Sequence, residues 1–201
     1  MSQIFQLLVL LFSVIIHEAS HGWAALKLGD DTAEKMGRLT LNPLPHLDIW
    51  GSILLPLFLF FSTQGRFVFG YAKPVPYNPL NLKHPARDSA IIAFSGPLAN
   101  FILAIIFGLL IRIFAATNFL NQLIPFFQVI VLINLILAIF NLTPIPPLDG
   151  SKVLFYFWHS PQVEMFLYQF SSLLLILFFL FGWNLIYPII SALFVILTGL
   201  H

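Results

Sequence analysis

The chain has 201 residues, of which 59% are hydrophobic, 16% aromatic and only 8% charged, with a mean hydropathy of +0.94. That apolar load exceeds what a soluble domain of this length needs for its core, and it marks a polytopic protein of the lipid bilayer. A net charge of +1 gives no basis for nucleic-acid binding, and the lack of cysteine excludes disulfides, cysteine-ligated metals and thiol nucleophiles. His, Asp and Glu are the ligand types left.

The first predicted helix runs from about Gln3 to Leu28 and is ended by Gly29 with the acidic pair Asp30 and Asp31. No basic segment precedes its apolar run and no small-residue cleavage site follows it, so Met1 to Ile16 is expected to belong to the mature protein. Directly after Ile4 to Ile16 comes His17-Glu18-Ala19-Ser20-His21. On a helix, His17 and His21 share one face, so both imidazoles can reach one zinc ion while Glu18 sits beside the open coordination position. HExxH also occurs as two polar residues on a solvated helix face, and its position argues against that reading here. At ~1.5 Å per residue, His17 lies ~21 Å along a helix crossing ~30 Å of hydrocarbon. Ionisable groups at that depth are costly and functional by default.

Residues 30 to 48 are polar, and Gly37 to Leu41 alternates like a short strand. Ile49 to Phe61 is apolar but short and is interrupted by Gly51 and Pro56, which fits a re-entrant segment. Arg66 to Tyr71 reads as a second strand, and Lys73 to Pro79 is proline-rich and extended. Ser89 to Phe114 and Ile124 to Phe140 are clear spans; the first carries Ser95-Gly96-Pro97-Leu98-Ala99-Asn100, in which the small residues favour close helix contact and Asn100 needs a partner. The second ends in Asn141 to Gly150, where prolines 144, 146 and 147 forbid regular helix. A helix over Ser151 to His159 follows. The tail, Met165 to Phe181 and Leu185 to Leu200 around Gly182-Trp183-Asn184, reads as a helical hairpin with Trp183 at the interface.

A catalytic zinc site wants three protein ligands and one open position. Asp149 is the best third candidate, because irregular backbone inside a membrane is tolerated only where it lines a protein-enclosed or watery cavity. The other acids outside the first motif lie in or beside polar loops. Asp149 can also be read as an N-cap for the following helix. His46, His84 and His159 lie near loops or the interface and read as surface or packing residues.

In this order, on three membrane segments, the motifs His17 to His21, Ser95 to Asn100 and Asn141 to Gly150 resemble the site-2 protease family of intramembrane zinc metalloproteases. Gly70 to Pro79 also looks like that family's segment after its membrane-embedded strands, and the similarity covers about residues 10 to 157. The resemblance implies one Zn2+ per chain held by His17, His21 and Asp149, with Glu18 as the catalytic base. Asn141 is implied to hold the substrate backbone or the developing oxyanion, and Asn100 to support the site. Unlike larger members, the sequence has little before the first motif helix and no PDZ or CBS module.

The expected fold is an all-α polytopic membrane protein of about five to six transmembrane or re-entrant helices with a small membrane-associated β-sheet. A catalytic core over 1–158 would precede a C-terminal hairpin over 159–201. The expected partner is a transmembrane protein or peptide; its unwound segment would add to an exposed edge at Val68, Phe69 and Gly70. With 49 to 61 re-entrant, Lys27, Lys35, Arg38, Arg66, Lys73, Lys83, Arg87 and Lys152 share one side and Arg112 lies near the other. The positive-inside rule then predicts a multi-pass cell-membrane protein with its site nearer the cytoplasm. The rival classes are a metal or proton transporter or channel, in which charged positions would spread along the spans, and a non-catalytic zinc-binding scaffold.

Overall fold

The computed structural model describes residues 3–62, 73–117 and 120–200. Helix α1 is Gln3–Lys27, stopped where Gly29 takes a φ of +105°, a conformation that suits glycine because it has no Cβ. A single turn, α2 (Thr32–Lys35), follows. Residues 37–41, expected as a strand, instead form a turn and bends. Gly37 is left-handed, with φ +65°, and the Arg38 N–H bonds back to the Ala33 carbonyl at 2.9 Å instead of to a neighbouring strand. Among the described residues there is no strand. The second expected strand, Arg66 to Tyr71, lies outside them.

Ile49–Leu54 is π-helical and runs into α3, Leu55–Ser62. At ~1.5 Å per residue this segment covers ~21 Å, short of ~30 Å of hydrocarbon. Helix α4 (Pro85–Thr117) is the longest element and packs against α1, against α5 (Ile124–Asn141) and against α6 (Asp149–Phe157). Its start is fixed outside the apolar stretch, where Asp88 accepts the His84 N–H at 2.9 Å and pairs with Arg87.

The C-terminal hairpin is not formed. Helix α7 (Pro161–Gln169) leads to α8 (Ser171–Leu177), a π-helical turn at Phe178–Gly182 and α9 (Trp183–Thr198). Gly182 and Trp183, where the reversal was expected, both keep right-handed helical angles, so Ser171–Thr198 is one apolar helix able to cross a membrane. Gly182 is needed for contact within the helix and not for a turn: a Cβ there would meet the Phe178 ring, 2.7 Å from Cε2. Helix α9 then ends beside α4, where Arg112 donates to the carbonyls of Leu197 at 2.8 Å and Ile196 at 2.5 Å. A guanidinium on the last carbonyls satisfies acceptors that no helix can satisfy itself.

Four described helices are long and apolar enough to span a bilayer: Gln3–Lys27, Pro85–Thr117, Asn121–Asn141 and Ser171–Thr198. Their outward faces carry Leu7, Ile102, Ile106, Leu109 and Ile189, so the surface is as apolar as the core. The core joins Ala104 and Ile111 of α4 to Val131 and Leu135 of α5 and to Ile186 and Ile190 of α9. Lipid is as apolar as these side chains, so close packing drives the association. Gly108 shows the closeness, since a Cβ there would lie 3.2 Å from the Leu197 carbonyl oxygen.

Candidate metal centre

The four-residue spacing puts His17 and His21 on one face of α1, with ring centroids 4.7 Å apart. Asp149 arrives from a distant part of the chain as the first residue of α6. Its Oδ2 lies 3.1 Å from His17 Nε2 and 3.3 Å from His21 Nε2. All three side chains are largely buried, and their ligand atoms lie within 4.8 Å of one another.

The far nitrogens explain why both Nε2 atoms face Asp149. His17 Nδ1 lies 2.6 Å from Asn100 Oδ1 and His21 Nδ1 lies 2.7 Å from the Ile92 carbonyl. Both partners are acceptors, so each Nδ1 donates and each Nε2 carries a lone pair. Two lone pairs and a carboxylate oxygen then converge on one point. Three acceptors repel unless a cation sits among them, and this donor set is what a divalent ion such as zinc takes.

Asn100 is itself oriented, because its amide donates to Asn134 Oδ1 at 2.8 Å and to the Ser13 carbonyl at 3.3 Å. Asn134 in turn donates to Ser13 Oγ at 3.0 Å and to the Ile130 carbonyl at 2.9 Å. Such bonds between membrane helices are worth only about 0.6 kcal/mol each on average, so the chain's weight lies in fixing the His17 ring. Sequence reasoning missed Ser13 and Asn134. Both left a signal: an amide in an apolar span, and a hydroxyl four residues before His17 on the same face. It also missed the part played by Gly96, where a Cβ would lie 2.6 Å from the Nε2 atoms of both histidines.

Asp149 is held by the proline-broken segment. The turn closes through Ile145 N–H to Thr143 O at 2.8 Å and Leu148 N–H to Ile145 O at 2.9 Å, and the Pro146–Pro147 bond is cis. Gly150 lets α6 start tight beneath α5, since a Cβ would lie 2.6 Å from the Thr143 carbonyl oxygen. The N-cap of α6 is Leu148, with no side-chain cap bond, so Asp149 does not cap the helix.

A cavity of 180 Å³ opens at this point, lined among others by His17, Glu18, His21, Asn141, Asp149 and Lys152. Glu18 faces it and accepts the Val75 N–H on Oε2 at 2.9 Å. Asn141 lines the same cavity while its Nδ2 donates to the Leu137 carbonyl at 3.0 Å. Asn100 lies behind the histidines, fully buried. Val68, Phe69 and Gly70 lie outside the described residues, so the expected edge for an unwound peptide is not among them. Tyr77 and Lys152 close one wall, with Lys152 Nζ 5.1 Å above the Tyr77 ring. Of the histidines read as packing residues, His46 is buried, donating from Nε2 to the Thr40 carbonyl at 2.8 Å.

A convergent two-histidine, one-carboxylate centre with a glutamate at its mouth, set among membrane-length helices, defines a membrane protein built like a metal-dependent hydrolase. The family comparison agrees: peptidase family M50 matches residues 5–123 and 108–178, and the chain belongs to that family, the site-2 protease family. The chain is 40% identical over 153 residues to "Putative zinc metalloprotease YwhC" of Bacillus subtilis, covering 73% of this chain and 66% of the relative. To the Mycolicibacterium smegmatis protein named "Putative zinc metalloprotease Rip2" it is 34% identical over 149 residues, 72% of this chain and 53% of that one. The matched region is thus under two thirds of each relative's length. No solved structure gives a significant match.

Proposed function

We propose that the chain is a membrane-embedded zinc metalloendopeptidase that hydrolyses a peptide bond within or near the transmembrane segment of a membrane protein. The observation that carries this reading is the convergence of His17 Nε2, His21 Nε2 and Asp149 Oδ2 beside Glu18, in a cavity sunk among spanning helices. His17, His21 and Asp149 would hold one zinc ion. When bound, zinc supplies Lewis-acid polarisation and lowers the pKa of a water towards ~7. Glu18 takes the proton from the attacking water and passes it to the leaving amide nitrogen as the C–N bond breaks. Asn141, across the cavity, donates to the substrate main chain or to the oxyanion once substrate displaces its bond within α5.

The charge layout supports a site nearer the cytoplasm. Lys27, Lys35, Arg38, Lys73, Lys83, Arg87 and Lys152 belong to segments at the site's end of the bundle, and Arg112 meets the end of α9 at the other. The deciding experiment compares the wild type with Glu18→Gln for zinc content and for cleavage of a single-span substrate in the same membrane. Both proteins should hold one zinc per chain, and only the wild type should cleave. Full cleavage by Glu18→Gln would refute the protease reading, and function of another kind surviving in the variant would favour a transporter or scaffold.

A further inference from the structure

The segment that closes the cavity is Lys73-Pro74-Val75-Pro76-Tyr77-Asn78-Pro79. Proline has no N–H and a fixed φ, so Val75 supplies the single main-chain donor between Lys73 and Tyr77. That donor meets Glu18 Oε2 at 2.9 Å. The strap lies along one face of α1. Gly22, one turn after Glu18, is bare enough for Val75 to rest on it: a Cβ at Gly22 would lie 2.9 Å from Val75 Cγ1. Val75 is buried there.

Both ends of the strap are tied. At the front, the Lys73 N–H donates to the His46 carbonyl at 2.8 Å. At the back, Asp30, which is fully buried, accepts the Asn78 N–H on Oδ2 at 2.7 Å and the Asn81 amide on Oδ1 at 2.7 Å. Thr32 adds its hydroxyl at 2.5 Å and its N–H at 3.3 Å, both to Oδ1. Asp30 stands just past the end of α1, so the helix that carries Glu18 also carries the anchor of the strap.

We propose that the Val75 N–H, delivered by this proline-fixed strap and latched through Asp30, is the positioning group for the Glu18 carboxylate. The deduction rests on reading Glu18 as the general base. With Oε2 engaged, the carboxylate is held in one orientation and Oε1 is left for proton exchange with water. The Val75 N–H reaches Glu18 directly, and Asp30 acts through Val75.

The contact is measured first without turnover. In the zinc-free full chain, 15N-labelled on valine and held in nanodiscs, Glu18→Ala and Asp30→Asn should each speed exchange of the Val75 amide by roughly tenfold. An asparagine at 30 would turn a donor towards the Asn78 N–H or lose one acceptor, so the latch opens. Kinetics follow in the zinc-loaded protein. Val75→Pro, which deletes the N–H and keeps an extended apolar residue, should lower kcat by about tenfold or more, the scale on which orienting partners act, with KM and zinc content kept. Val75→Ala, which keeps the N–H, should stay much nearer wild-type kcat than Val75→Pro. Val75 exchange indifferent to Glu18→Ala, or wild-type kcat in Val75→Pro, would overturn the proposal. A wild-type chain that cleaves nothing, with the exchange result intact, would instead overturn the protease reading and with it the catalytic purpose of the contact.

Discussion

Each histidine at the centre is gripped at Nδ1, His17 by Asn100 and His21 by the Ile92 carbonyl with the Ser95 hydroxyl at 3.4 Å, and the space in front of the two Nε2 atoms is kept open by the lack of a side chain at Gly96. A Cβ there would sit 2.5 Å from His21 Cε1, closer than carbon atoms pack, and the helical backbone of α4 has little freedom to retreat between α1 and α5. Gly96→Ala should therefore turn one ring and weaken zinc binding by about 10–100-fold, the scale of disturbed ligand orientation. Chelator competition measures it, and wild-type affinity would show that α4 gives way instead. The placing of His17 and His21 on one face was legible because a helix repeats locally. The role of Gly96 was not, because an empty volume has meaning only once the neighbouring helix is in place.

At the scale of elements, the loop after α1 and the strap depend on one buried carboxylate. Burial alone pushes the Asp30 carboxyl up, but the Thr32 hydroxyl and the Asn78 and Asn81 donors outweigh it and hold Asp30 below its ordinary value of 3.8. A depressed folded value means that the ionised form stabilises the fold. This contribution is complete above the ordinary value and is lost as pH falls through the lower folded value. The thermal midpoint in detergent should thus not vary with pH through this group near neutrality, and should fall as pH drops below 3.8. Asp30→Asn, which cannot ionise, should be less stable at neutral pH and show a shallower acid decline; identical acid profiles would dismiss the latch as a stabilising contact. In the sequence, Asp30 reads only as part of a helix stop. Its partners Asn78 and Asn81 lie 48 and 51 residues away, beyond the reach of any local pattern.

At the scale of the whole molecule, Arg112 marks the end of the bundle at which the last apolar helix stops. A hairpin at 182–184 would return Leu200 to the side of the site, whereas a single helix from Ser171 to Thr198 ends at Arg112, the far end of α4. The native sequence has no cysteine, so single cysteines report sidedness cleanly. In right-side-out vesicles, Leu200→Cys should react with an impermeant maleimide and Lys35→Cys only after permeabilisation. Labelling of both from the same side would restore the hairpin.

Local patterns were enough for the membrane class, the spans over α1, α4 and α5, the histidine spacing on α1, and Asp149 as the third ligand candidate, because hydrophobicity, helical period and proline breaks act over a few residues. It misplaced the tail, since Gly182-Trp183-Asn184 has the composition of a turn while packing of α9 against α4 and α5 keeps it helical. Which groups stand behind the two histidines is set by packing between helices. The Ser13, Asn134 and Asn100 network, the open space at Gly96 and the Val75 bond to Glu18 are contacts between segments 34 to 121 residues apart. Such contacts are set by how helices pack in lipid, where shape and hydrogen bonding, not hydrophobicity, choose the neighbours.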